Sequence, residues 1–191
     1  MALKRFIQNN IEMDKKLSKV SLELKKRAIS LGLCSEWTND WRDSSKDSLC
    51  DMYVRGIDFC IANSYPTNEF MKDNFDGVMQ NHGIFVDNKL SYGTTSAKPR
   101  TIIANGRCKG YVNYDKNSVG EIYARHDSCL NIVVGGSSKV FVNVFDHAKV
   151  SIKMLDSMSE VVVYRYSKSC IISVVDGGNV RIKDGDTSLF T

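Results

Sequence analysis

Residues 138–156 read SKVFVNVFDHAKVSIKMLD, and the stretch states one pattern twice. Ser138-Lys139-Val140-Phe141-Val142 is followed ten residues later by Ala148-Lys149-Val150-Ser151-Ile152. Each run then reaches an aspartate, Asp146 and Asp156. A small residue, a variable residue and an apolar residue open each unit. That opening recurs at Gly106, Asn117, Ser128, Ser138, Ala148, Ser159, Ser169 and Gly178, at intervals of nine to eleven residues. The apolar residues that follow are Cys108, Val119, Leu130, Val140, Val150, Val161, Ile171 and Val180. A fixed short period means repeating structure.

Each unit is a β-branched run closed by a turn holding Asp or Ser, so the units read as strands. Two architectures use such units. In a β-solenoid, successive units form the sides of a coil, and like residues stack about 4.8 Å apart. In a β-sandwich, successive units pair as hairpins. Hairpins demand turn-specific pairs such as Asn-Gly at several joints. Here the same small residue precedes the same apolar residue in unit after unit, so a solenoid is expected and a sandwich is the alternative. The pattern leaves open whether two or three units make a coil.

Alternation along a strand sends neighbours to opposite faces. Arg107, Ser118, Cys129, Lys139, Lys149, Glu160, Cys170 and Asn179 form one outward column, mostly polar. The next outward positions include Phe141, Val162, Tyr164, Ile172 and Val174. An exposed apolar set of that kind marks a contact surface, and these five residues are the expected seam with a second copy or another protein.

The first half is helical in pattern. Leu17, Val20, Leu24, Ala28 and Leu31 recur at helical spacing, predicting a helix over 12–31 ended by Gly32. Trp37 and Trp41 are spaced to share a face of a short helix. A second helix is expected from Ser45 or Asp47 to the stop at Ser64-Tyr65-Pro66, and a third from Thr67 to Asn81. The fold class is therefore α+β. A three-helix domain over 1–83 is followed by a linker over 84–100, rich in Gly, Ser, Thr and Pro, and a solenoid of about ten-residue units over 101–191.

The 191 residues carry a net charge of +4, unevenly placed. Residues 1–33 hold eight Lys/Arg against three acids. Lys15, Lys16, Lys19, Lys25 and Lys26 form a basic helix face, a candidate contact for nucleic acid or an acidic partner. No run of about 18 apolar residues occurs, so no membrane span is expected. The start lacks the apolar core of a signal peptide, so synthesis in the cytoplasm without ordinary export is expected, with the virion as a further location. The six cysteines form no C-x-x-C pair and match no zinc spacing. His126 and His147 each neighbour an aspartate at a turn, and Asp184-Gly185-Asp186 resembles part of a calcium loop without its remaining ligands. No nucleophile elbow, P-loop, Rossmann glycine pattern or zincin motif is present. The expectation is a protein without catalytic site, metal or cofactor. Its partner is expected to be a second copy or a larger protein assembly, with carbohydrate or nucleic acid as further candidates.

DMYVRGIDFCIANSYPTNEFMKDNF (51–75), HGIFVD (82–87) and VGEIYARHDSCLNIVVGGSSKVFVNVFDHAKVSI (119–152) resemble small uncharacterised proteins of gut Bacteroidetes and their crAss-like phages. The short-repeat half also looks, more weakly, like bactofilin cytoskeletal proteins. The first resemblance implies a structural or attachment component of a virion or mobile element. The second implies a cytosolic polymer-forming scaffold. Neither transfers a functional residue.

Overall fold

Parallel pairing at a nearly constant offset builds the second half of the chain. The computed structural model describes residues 2–41, 45–94, 96–176 and 178–190, and their side chains except those of 2–14, 16 and 189. Two compact units are present. One spans residues 79–189, and the other the residues up to 78 together with Phe190.

Among the described residues the larger unit holds eleven strands: β1 (Ile84–Val86), β2 (Lys89–Tyr92), β3 (Thr101–Asn105), β4 (Lys109–Tyr114), β5 (Val119–Ala124), β6 (Cys129–Val134), β7 (Lys139–Val144), β8 (Lys149–Met154), β9 (Glu160–Arg165), β10 (Ile171–Val175) and β11 (Asn179–Asp184). Odd-numbered strands form one sheet in the order β1-β3-β5-β7-β9-β11, and even-numbered strands form the other, β10-β8-β6-β4-β2. Every pair is parallel. The chain thus alternates sheets and returns one place further along: a β-solenoid with two strands per coil. Among the described residues no strand pairs with its sequence neighbour, as a sandwich of hairpins would require.

The register explains both the repeat and where its reading slipped. Lys109 lies opposite Cys129 and Cys129 opposite Lys149, a 20-residue step. The step is 21 from Lys139 to Glu160 and 22 from Lys149 to Ile171. The connection from β9 to β10 holds one residue more than that from β7 to β8. A one-residue slip sends every side chain of a strand to the other face. Ile172 therefore lies opposite Val150 and Val174 opposite Ile152, both in inward columns, while Ile171 lies opposite Lys149 on the outside. This corrects the expectation that Ile172 and Val174 face out and Ile171 in. It also places Cys170 at the corner, opposite Ala148. At the other end Gly110 and Gly120 take the inward places opposite Leu130 and Val140. Residues 84–92, expected as linker, instead form β1 and β2, pairing with β3 and β4.

Inward side chains of both sheets share one apolar cluster. Ile102, Ile122, Val142 and Val163 stack in one sheet and Val112, Ile132 and Ile152 in the other, all fully buried. Each such burial contributes about 1.5–3 kcal/mol. The interior is narrow, so bulk in one slot needs a void in another. A Cβ on Gly120 would lie 2.1 Å from Tyr114 Cε1, because the Tyr114 ring fills the space that the glycine leaves.

The corners supply the backbone bonds that the strands cannot. Asp87, Gly106, His126 and Asp146 all adopt positive φ, between 51° and 71°. His126 N–H donates to Asp146 Oδ2 (2.9 Å), and Gly106 N–H donates to His126 Nδ1 (3.0 Å). At the opposite corner Ser118 N–H donates to Ser138 Oγ (3.2 Å) and Ser138 N–H to Ser159 Oγ (3.1 Å). At Ser138 and Ser159 the recurrent small residue thus does two things: it fits the bend, and its hydroxyl takes an N–H of the preceding coil.

The smaller unit holds α1 (Ala2–Ser30), α2 (Ser35–Asp40), α3 (Lys46–Arg55), α4 (Ile57–Ala62) and α5 (Asn68–Phe75). Gly32, at φ +92°, ends α1, with Leu33 N–H donating to Ala28 O (3.0 Å). Ser45 Oγ caps α3 by accepting from Ser48 N–H (3.1 Å), and Thr67 Oγ1 caps α5 by accepting from Phe70 N–H (3.2 Å). The second expected helix is divided at Gly56 into α3 and α4. The third stops at Phe75, because Asp76-Gly77 turns the chain before a 3-10 turn at Met79–His82.

Gly120→Ala is expected to destabilise the solenoid by roughly 1–3 kcal/mol through overpacking against Tyr114. Tyr114→Phe is expected to cost under about 1 kcal/mol, since the buried phenol oxygen has no hydrogen-bond partner among the described residues. Denaturant midpoints of the two variants check both.

Candidate contact surfaces

The two sheets turn different chemistry outward. In the odd-strand sheet one outward column runs Thr101, Glu121, Phe141, Val162 and Arg181. The next runs Ile103, Tyr123, Asn143, Tyr164 and Lys183. The structure therefore brings Phe141, Val162 and Tyr164 onto one face. Val162 is buried, at 5% exposure, whereas Phe141 and Tyr164 are half-buried. The Lys139 ammonium lies 5.6 Å from the Phe141 ring centroid. Three cations of this sheet are paired: Lys139 with Glu160 (3.2 Å), Arg181 with Glu160, and Arg165 with Asp184 (2.7 Å).

The outer face of the even-strand sheet is open and differently charged. Lys89, Lys109, Cys129, Lys149 and Ile171 form its first column. Ser91, Tyr111, Asn131, Ser151 and Ser173 form its second, and Asn113, Val133, Lys153 and Val175 its third. This face holds four lysines and no carboxylate. The lysine column escapes a reading that merges all units into one series. It emerges when alternate units are sorted to separate sheets, because Lys89, Lys109 and Lys149 are spaced by multiples of 20.

The last coil exposes what the inner coils bury. Val174 is 40% exposed and Ile182 47%, although they continue the columns of Ile132 and Ile152 and of Val142 and Val163, which are fully buried. Strands β10 and β11 end their sheets, so their outer edges have no strand partner among the described residues.

In the helical unit Lys15, Lys19 and Lys26 are exposed. Lys25 is half-buried, and its ammonium donates to Trp41 O (3.5 Å). The side chain of Lys16 lies outside the described residues. An apolar cleft of about 410 Å³ is lined by residues including Trp37, Trp41, Tyr53, Phe59 and Phe75. That volume suits a small molecule. Two of its polar groups turn inward: Trp41 Nε1–H donates to Ser21 Oγ (3.1 Å) and Tyr65 O–H to Leu24 O (2.5 Å). Burial pushes the Cys50 thiol up to about 12, which removes it as a ready nucleophile.

The residues with acid–base potential are engaged in structure. His126 Nδ1 accepts the Gly106 N–H, and Asp146 holds the His126 N–H, so the two side chains serve backbone groups rather than each other. Asp184 Oδ1 accepts both Arg165 Nε–H and Nη2–H, and Asp186 Oδ1 accepts from Ser188 N–H and Oγ–H. Among the described residues no group of three or more His, Cys, Asp or Glu is placed to hold a metal ion. No described helix is long and apolar enough to cross a membrane.

Desolvation, helped by the charge of Arg125 and opposed by Asp146, Asp127 and Asp87, holds the His126 imidazole below its ordinary 6.5. The unfolded chain then takes up this proton first as pH falls. The stability that His126 confers is complete above 6.5 and is lost as pH drops below it toward the lowered folded value. Unfolding titrations are expected to show that fall. His126→Asn, whose amide oxygen still accepts the Gly106 N–H, is expected to flatten it. No protein-family model matches the chain, and neither a curated protein nor a solved structure matches it.

Proposed function

We propose that the chain is a non-enzymatic structural or attachment protein, a component of a phage virion or another mobile element, whose solenoid self-associates through its last coil. The exposure of Val174 and Ile182 in otherwise dry columns carries this reading. An unpaired strand edge beside exposed apolar side chains favours pairing with another chain. The half-coil of about ten residues, read from the repeat, is the unit of the rod. The likeness of residues 51–75, 82–87 and 119–152 to proteins of gut Bacteroidetes and their phages supports the setting. The use of His126, Asp146 and Asp184 in backbone and ion-pair bonds is in keeping with a role that needs no chemistry. A bactofilin-like scaffold is the second reading, favoured by the same open end; it differs in requiring both ends of the solenoid to pair.

Sedimentation velocity of the full chain over a range of concentrations tests the proposal. Concentration-dependent association is expected. It is expected to be lost in a Val174→Lys/Ile182→Lys variant whose circular dichroism is unchanged. A closed dimer under electron microscopy supports capping of the last coil alone, and filaments support the scaffold. A wild-type protein that stays monomeric at every concentration overturns self-association.

A further inference from the structure

We infer that the outer face of the even-strand sheet binds a linear anionic glycan, with Lys89, Lys109 and Lys149 taking its acid groups. Neighbouring strands lie about 4.8 Å apart, and like charges opposite one another on a sheet are destabilising. The odd-strand sheet offsets this by pairing Lys139, Arg165 and Arg181 with Glu160 and Asp184. Lys153, in the third column, pairs with Asp176 of the corner that follows β10 (3.6 Å). Among the described residues Lys89, Lys109 and Lys149 form no ion pair, and all three are exposed. Asp87, Asp127 and Asp146 sit on the corner that leads into the even strands. Asp87 and Asp146 are held there by the N–H groups of Arg107 (2.8 Å) and His126 (2.9 Å), and Asp127 is exposed.

Spacing and neighbouring groups then choose the ligand. The lysine column runs along the stacking direction, one coil per step, with Cys129 at one step. An extended pyranoside chain advances by about one strand spacing per ring, so it can keep step with the coils. Beside the lysines run the hydroxyl and amide groups of Ser91, Asn131 and Ser151, which suit sugar hydroxyls, and Tyr111, 44% exposed, which offers a ring to a sugar face. Single-stranded nucleic acid stacks successive bases on several aromatics. This face carries one, so a glycan fits it better. The surface is separate from the last-coil edge invoked for assembly.

The test is calorimetric titration of the full chain with a uronic acid oligosaccharide, with a neutral dextran oligosaccharide and with an oligothymidylate. Uronate binding is expected, weakening steeply with salt, with little binding of neutral dextran. Lys109→Gln/Lys149→Gln is expected to weaken it about tenfold or more and to make the salt dependence shallower. Tyr111→Ala is expected to weaken it as well. Lys15→Gln/Lys19→Gln/Lys26→Gln and Val174→Lys/Ile182→Lys are expected to leave it unchanged, which separates this surface from the helix face and from self-association. Absence of uronate binding, or binding indifferent to Lys109 and Lys149, overturns the inference. Tighter binding of the oligothymidylate than of the uronate overturns the glycan assignment in favour of nucleic acid.

Discussion

Each strand of the solenoid is hydrogen-bonded to its counterpart one coil away, and this parallel pairing constrains everything else. In a coil only two strands wide, an inward side chain shares its slot with the residues one coil before and after. Val and Ile fill such slots because their branched side chains pack on a pleated surface without many rotamers to lose. Departures are compensated locally. Gly120 gives up its side chain and the Tyr114 ring occupies the space. The same rule acts at the corners, where serine hydroxyls and the Asp146 carboxylate reach across to N–H groups of the neighbouring coil.

The part of the fold written most plainly in the sequence is the part where every inward slot is apolar. From Leu130 to Val163 the columns of Val, Ile and Leu announce strands, their period and their faces. Toward the N-terminal end the inward slots hold Gly110 and Gly120, which carry no apolar signal; Cys108 is inward as expected, but beside Gly120 the apolar signal falls on Val119, which is exposed. At β10 an extra corner residue changed the parity, and parity alone decides which of Ile171 and Ile172 faces inward. Strands β1 and β2 were hidden for another reason. Ile84–Val86 and Lys89–Tyr92 are too short to show a period, and only their partners β3 and β4 make them strands. The helix ends were legible where a cap has a chemical identity, as at Gly32, Ser45 and Thr67. The breaks at Gly56 and Gly77 were not, because single glycines inside apolar helical patterns are often tolerated.

Surfaces were harder to read than the core. Phe141, Val162 and Tyr164 do share a face, but Val162 is covered, and Ile172 and Val174 belong to the interior columns of the other sheet. The lysine column is invisible until strands are sorted into two sheets. One property of a linear sequence explains both: adjacent units are never adjacent in a sheet here, so an outward surface is assembled from every second unit. The two sheets thereby acquire independent exteriors on one shared core. One is ion-paired. The other is cationic and polar, and the last coil leaves apolar slots open at their edge.

The central claim is that residues 20 apart, rather than 10 apart, are neighbours. It is tested most directly by disulfide trapping at the exposed Cys129. Registered Cα atoms on adjacent strands lie about 4.8 Å apart, within the range that a disulfide spans. Lys109→Cys and Lys149→Cys, introduced one at a time, should each form a bond with Cys129 under mild oxidation, because they lie opposite it on either side. Failure of both, with efficient trapping instead between Cys129 and cysteines placed on β5 or β7, would contradict the solenoid and restore hairpin pairing.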